Sequence, residues 1–224
     1  MNGYIYKILA SNKDLASIHE GKKFKGFCFG NIYPVKDRQI KENCNYNLVL
    51  SSPIPKIIEH LFFNIKEDCT INLGEGSFNV EGIEVRNFVL NNKNIIETLS
   101  IINLTKHTEN KILPLLYDEN KEEFLNQLSI NLIRKYNHLR QKEIGEDFKL
   151  FENIEIGLIK NNHKLKHFSI PILLEDNKRF NAIGNKLYFK FNRISDEQLA
   201  IFQVCLDAGF GERNSFGMGF MVKK

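Results

Sequence analysis

Paired cysteines are the first thing missing. Cys28, Cys44, Cys69 and Cys205 stand alone, with no Cys-x-x-Cys pair and no histidine at ligand spacing, so neither a zinc site nor a disulfide framework is indicated. His163 and His167 are four apart, but they fall in a stretch that reads as strand and have no third ligand in sight. No metal and no cofactor is expected. No apolar run approaches the ~20 residues of a membrane span. The opening Met-Asn-Gly-Tyr-Ile-Tyr-Lys is not a secretory signal either, which points to a cytoplasmic protein with no membrane partner.

Generic phosphate loops are also lacking, although glycine clusters at the C-terminal end. From Gly209, a dinucleotide fingerprint would need glycine where Asn214 stands, and a P-loop would need lysine where Met218 follows Gly217. By glycine content alone, residues 208–221 read equally well as a helix C-cap followed by a hairpin.

What is present is an ordinary globular composition: 224 residues, 42% hydrophobic and 26% charged, enough for one large or two small domains. The net charge of +4 is modest but uneven: residues 1–41 carry +5, 42–176 carry −5 and 177–224 carry +4. If the basic ends meet in space, they form one positive face of the kind nucleic acids bind.

Periodicity places the elements. Ile5, Ile8 and Leu9 predict an opening helix, followed by a short turn over 14–19. Period-two patterns predict strands over 24–30 and 46–50. Ser52 and Pro53 read as N-cap and N1 of a helix with the stripe Ile54, Ile57, Ile58, Leu61, Phe62 and Ile65. Strands are expected over 69–73 and 83–90, and Asn91-Asn92-Lys93-Asn94 is the best boundary. Beyond it come strand 95–104, helix 119–143 and strands 151–160, 165–174 and 186–191. Ser195 and Gln198 form a capping box on a helix burying Leu199, Phe202, Cys205 and Leu206, with Gly209 as its C′ glycine. The expected class is α+β: tandem ferredoxin-like (RRM-like) domains, residues 1–92 and 93–224, ending in a glycine-rich loop. The first strand of the first domain is apparently missing.

The terminal sequence Gly-Phe-Gly-Glu-Arg-Asn-Ser-Phe-Gly-Met-Gly-Phe, emerging from a helix at the end of two such halves, resembles the CRISPR-associated repeat-processing endoribonucleases, the Cas-six family of the RAMP superfamily. Ile18-His19-Glu20 followed by Lys25-Gly26-Phe27-Cys28-Phe29 resembles that family's His-Glu and Lys-x-Phe-x-Phe stretch. The resemblance implies a metal-independent cut in CRISPR repeat RNA: the 2′-hydroxyl attacks the adjacent phosphate, leaving a 2′,3′-cyclic phosphate and a 5′-hydroxyl. It implies His19 as the catalytic histidine, Lys25 as an active-site lysine and Tyr4 as an active-site tyrosine, with Tyr6 as the alternative. Histidine, which titrates near neutrality, suits general acid–base work, and a lysine offsets charge on the phosphorane.

The loop residues Gly209, Gly211, Arg213, Asn214, Ser215, Gly217 and Gly219 would hold RNA through backbone N–H groups and polar side chains. Lys22, Lys23 and Lys190, with Lys186 and Arg193 beside them, are further RNA-path residues. Alone, each has a plainer role: a capping histidine, a strand lysine facing solvent, a tyrosine on an amphipathic helix. Because the family opens on a strand, the native chain is expected to begin upstream of Met1. A non-cleaving RAMP protein is the alternative, and a CRISPR interference complex and a homodimer are further possible partners. An RRM-like module is a third reading, but it lacks the Lys/Arg-Gly-Phe/Tyr-Gly/Ala-Phe-Val-x-Phe/Tyr strand.

Overall fold

Ile5 and Leu9, one turn apart, bury one face of α1 (Asn2–Leu9), and Leu15 does the same for the single turn α2 (Lys13–Ala16). The computed structural model describes residues 2–16, 24–35, 39–65, 69–73, 76–109, 111–159, 167–173 and 179–224. The period-two runs that follow α2 form a much shorter ladder than expected: β1 (Cys28–Phe29) pairs antiparallel with β2 (Leu50–Ser51). Gly26, at φ +70, turns the chain just before β1, so the run cannot extend backwards as a strand.

The helix α3 (Pro55–Asn64) begins later than Ser52-Pro53 suggests, with Pro55 in its first turn and Ile54 at an uncapped N-cap. Ser52 has another task. Its hydroxyl donates to Gly26 O at 2.6 Å and accepts from Ile54 N at 3.0 Å, tying the helix entrance to the β1 turn. Ile57 and Leu61 pack inward with Ile5, Leu9, Leu15 and Phe27. A hairpin of β3 (Thr70–Leu73) and β4 (Gly76–Asn79) follows.

The strand expected over 83–90 does not form. Its residues take part in no ladder among the described residues, and Val85 and Val89 are 56% and 70% exposed. Sequence pattern supplies β-propensity, but a strand needs a neighbour for its N–H and C=O groups. Part of that role falls to Gln203, whose Oε1 accepts from Leu90 N and whose Nε2 donates to Phe88 O, both at 2.8 Å.

In the second half β5 (Ile95–Thr98) stops well short of residue 104; just past it, Ser100 Oγ accepts the Phe220 N–H. After the hairpin β6 (Thr105–His107) and β7 (Ile112–Pro114), Asn120 caps α4 (Lys121–Arg140) by accepting from Glu123 N. Then come β8 (Ile154–Leu158), the hairpin β9 (Phe168–Leu173) and β10 (Arg179–Gly184), and β11 (Leu187–Phe191). The Ser195–Gln198 capping box starts α5 (Asp196–Ala208), with both reciprocal bonds present, and the chain ends on β12 (Met221–Lys223).

One antiparallel sheet runs β12-β5-β11-β8. Along β11, Leu187, Phe189 and Phe191 face the helices, while Lys190 faces out. Leu128 and Leu132 of α4, Phe202 and Leu206 of α5 and these strand residues form the main core. The fold is thus mixed α+β with small antiparallel sheets. No helix among the described residues is long and apolar enough to cross a membrane.

Candidate functional site

The glycine-rich loop is set by its apolar residues before its polar ones matter. Phe210 is fully buried, its ring 5.3 Å from Phe189 and 6.0 Å from Phe202, so the first residue after Gly209 is anchored in the main core. Met218 packs with Ile101, Ile172 and Ala182 under the β9–β10 hairpin, and Phe220 is also buried. Only Phe216 among the loop's large apolar side chains is exposed, at 38%.

Between these anchors the backbone folds back on itself through a short 3₁₀ turn, Asn214–Phe216. Gly219 sits at φ +67 against Phe210, and a Cβ there would overlap the Phe210 carbonyl oxygen. Gly219→Ala is therefore expected to destabilise the fold by about 2–5 kcal/mol, from left-handed strain plus overpacking against backbone. Urea denaturation measures it. Gly3→Ala, in α1 with nothing within 4 Å, is the control and is expected to stabilise by at most about 1 kcal/mol.

Lys135, on the buried face of α4, holds the loop from below. Its Nζ donates to Gly209 O at 2.7 Å, Gly211 O at 2.5 Å and Asn214 Oδ1 at 2.7 Å, and lies 5.3 Å from the centre of the Phe24 ring. Burial pulls its pKa down to about 8, and it remains an ammonium at neutral pH, with three protons for three acceptors. Two thiols flank it, Cys28 and Cys205, both pushed up to about 12 by burial. They are packing groups that donate to Met218 O and Leu132 O.

The sequence reading missed Lys135. Its signal was available, because Leu128, Leu132, Lys135 and Leu139 follow the four-three-four spacing of one helical stripe, and a lysine there must find partners.

The expected site residues separate. Asn214 is buried, and its amide works inside the loop: Oδ1 accepts from Lys135, while Nδ2 donates to Phe210 O and Met218 O. The N–H groups of Phe210, Glu212, Phe216, Gly217, Met218 and Gly219 likewise donate to protein carbonyls. The carbonyls of Gly209 and Gly211 are the ones Lys135 takes. Much of the loop's polar backbone thus shapes the loop itself. Arg213 adopts φ +54, donates from Nη1 to Asn103 Oδ1 at 2.5 Å and lies 5.0 Å over the Phe180 ring. Glu212, beside it, accepts from Thr105 Oγ1 at 2.8 Å.

Lys25 lines a cavity of about 460 Å³ beside the loop, and burial pulls its pKa down. Neither Tyr4 nor Tyr6 lines that cavity; burial, then Cys69, pushes the Tyr4 phenol up. Tyr6 is the tyrosine that reaches the loop. Its ring stands edge-on to Phe27 at 5.5 Å, and burial pushes its phenol up against the opposing effect of Ser215 in the loop. Helical spacing could not separate the two tyrosines, because both lie on α1 and only the position of the loop distinguishes them. Lys190 is paired with Glu155 across the outer sheet face at 3.2 Å, away from the cavity, and Lys186 is half-buried over Phe168. Arg193, at φ +60, is exposed. His19, Lys22 and Lys23 lie outside the described residues.

The two ends of the chain do meet. β1 packs against the loop's 3₁₀ turn, with Phe29 beside Gly217 and Phe220 beside Gly30. The cavity walls come from Phe24, Lys25 and Phe27, from α4, and from loop residues 211–216. Among the described residues, Lys25, Arg134, Lys135 and Arg213 line it with one carboxylate, Glu212, and Arg134 is itself paired with Glu146 at 2.5 Å. A basic, partly aromatic cavity of this kind suits a phosphate-bearing chain.

A family model described as "CRISPR associated protein Cas6, C-terminal" matches residues 84–223. The chain is 28% identical over 225 residues to "CRISPR-associated endoribonuclease Cas6 2" of Methanocaldococcus jannaschii, covering 99% of this chain and 89% of that protein. It is 22% identical over 238 residues to "CRISPR-associated endoribonuclease Cas6" of Haloferax mediterranei, covering 98% and 84%. Its fold is similar to a solved structure described as "Characterization of a Cas6-related gene from Pyrococcus furiosus". The TM-score is 0.69 at 18% identity, over 100% of this chain and 88% of that one.

Proposed function

The chain belongs to the Cas6 family of CRISPR-associated proteins, and from that premise we propose that it is an endoribonuclease cutting CRISPR repeat RNA without metal. The observation that carries the reading is the cavity itself, where Lys25 from the N-terminal segment faces a glycine loop pinned by Lys135. The seven residues 17–23, which include His19, join α2 directly to the Phe24-Lys25 wall of that cavity.

In this reading the 2′-hydroxyl next to the scissile phosphate attacks phosphorus, and the 5′-oxygen of the following nucleotide departs. The products are a 2′,3′-cyclic phosphate and a 5′-hydroxyl. His19 transfers the proton, as base for the attacking hydroxyl or as acid for the leaving oxygen. Lys25 balances charge gathering on the phosphorane oxygens, and Tyr6, whose phenol is influenced by Ser215 of the loop, hydrogen-bonds beside them in place of Tyr4. Arg213 supports the strand backbone from the loop side.

The ferredoxin-like reading of residues 93–224 is supported by the sheet order β12-β5-β11-β8, with α4 and α5 as its crossovers. For residues 1–92 as a second unit, the support is a separate cluster around Ile5, Leu9, Phe27, Ile57 and Leu61. Incubation with the cognate repeat RNA in excess EDTA tests the function: one cut ending in a cyclic phosphate is expected. A cut that EDTA removes, or binding with no cut, would overturn it.

A further inference from the structure

We propose that the cavity beside the glycine loop receives one unstacked nucleobase of the bound RNA, stacked on Phe216 and hydrogen-bonded by Asn131. This rests on the RNA-cleaving function proposed above and adds to it a base-reading position. The cavity, at about 460 Å³, lies within the roughly 300–1,000 Å³ of small-ligand sites. On α4, Gln127, Asn131 and Arg134 follow one another at intervals of four and three, which puts them on one helical face lining it.

Asn131 is the residue that asks for a ligand. Its Oδ1 is buried with no hydrogen-bond partner among the described residues, a condition that destabilises a free protein. Asn137, two turns along the same helix, shows the ordinary outcome: its amide both donates to Ile144 O and accepts from Ile144 N. The terminal torsion of asparagine is broad, so the Asn131 amide can turn to meet a group in the cavity. An acceptor without a donor is complementary to the exocyclic amine or ring N–H of a base.

Phe216 supplies the stacking surface. Phe210, Met218 and Phe220 of the same loop are at most 3% exposed, whereas Phe216 is 38% exposed at the cavity wall. Aromatic rings left open beside cations are how proteins hold single-stranded bases, and Lys25 lines the same cavity, as does Arg134, whose guanidinium is forked onto Glu146. A base in a helical stack cannot enter, so the nucleotide taken is an unpaired or extruded one.

Fluorescence anisotropy with the cognate repeat RNA, and with versions carrying one abasic nucleotide at each position in turn, tests this on wild type, Phe216→Ala and Asn131→Ala. One abasic position should weaken wild-type binding by roughly 5- to 150-fold, the span of one stacked base, and weaken the two variants far less. Asn131→Leu, which removes the unsatisfied acceptor, should raise the unfolding midpoint while losing the same affinity.

Wild-type protein that binds and cuts repeat RNA with no position coupled to Phe216 or Asn131 overturns the pocket alone. So does Asn131→Leu losing stability together with affinity. Wild-type protein that binds no repeat RNA overturns the proposed function, and the pocket with it.

Discussion

Replacing His19 with alanine is expected to abolish cleavage of repeat RNA, by a factor on the order of 10²–10⁴ or more, while leaving its binding largely intact. The two effects separate because the surfaces that would hold RNA are built elsewhere. The loop is fixed by Phe210, Met218 and Lys135, and the cavity walls by α4 and the Phe24–Phe27 segment. The segment bearing His19 starts just beyond Leu15, 4% exposed in the α1–α3 core, and ends at Phe24 beneath Lys135. Single-turnover cleavage and filter binding on the same RNA measure the two quantities. Loss of both together, or of neither, would show that proton transfer has been assigned to the wrong residue.

Lys135→Met should be the most damaging substitution among cavity residues that need not touch the RNA. Methionine fills a similar volume but donates no proton, leaving Gly209 O, Gly211 O and Asn214 Oδ1 without their donor inside the protein. Each buried acceptor left unsatisfied costs about 1–3 kcal/mol, so a net loss of about 2–5 kcal/mol is expected after relaxation and the relief of the buried charge. The glycine loop would loosen at both ends of its turn, and RNA affinity should fall with stability.

A pH series checks the ionisation. The folded-state pKa of about 8 lies below the ordinary 10.5, so between these values the unfolded chain binds more protons than the folded one. Stability from this group therefore rises with pH across that window, being lowest below about 8, and Lys135→Met should remove the slope. A wild-type profile no steeper than that of the variant between pH 8 and 10 would show that the lysine is not desolvated as its surroundings demand.

Local chemistry in the sequence was legible wherever a short-range rule had no competitor. The Ser195–Gln198 capping box, the Gly209 termination of α5 and the inward alternation of β11 all formed as their spacing indicates, whereas of the expected α3 stripe Ile57 and Leu61 are buried and Phe62 is 42% exposed. The rules misled where a distant partner took the group they had assigned. Ser52 left its cap position for Gly26 O, a bond across 26 residues. Residues 83–90 carry strand propensity, but what reached Phe88 and Leu90 was a glutamine side chain on α5. Lys135 sits in α4, a helix expected over 119–143, yet its three partners lie 74–79 residues further along.

The glycine loop shows the same division. Its sequence by itself determined that the backbone must pass through left-handed geometry, and its motif, with Ile18-His19-Glu20 and Lys25-Gly26-Phe27, determined the family. The tertiary structure decided which atoms remain available to a ligand. Asn214 is turned inward by Lys135, Arg213 is braced by Asn103 and Phe180, and Tyr6 rather than Tyr4 is brought to Ser215. Phe216 and Asn131 are left at an open cavity with surface and hydrogen-bonding capacity unused among the described residues. The physical reason is that a polar group's role depends on whether a partner reaches it before water or RNA does. Spacing along the chain fixes partners three or four residues away; those a hundred residues away are fixed only when Phe210, Phe189 and Phe202 close the core beneath the loop.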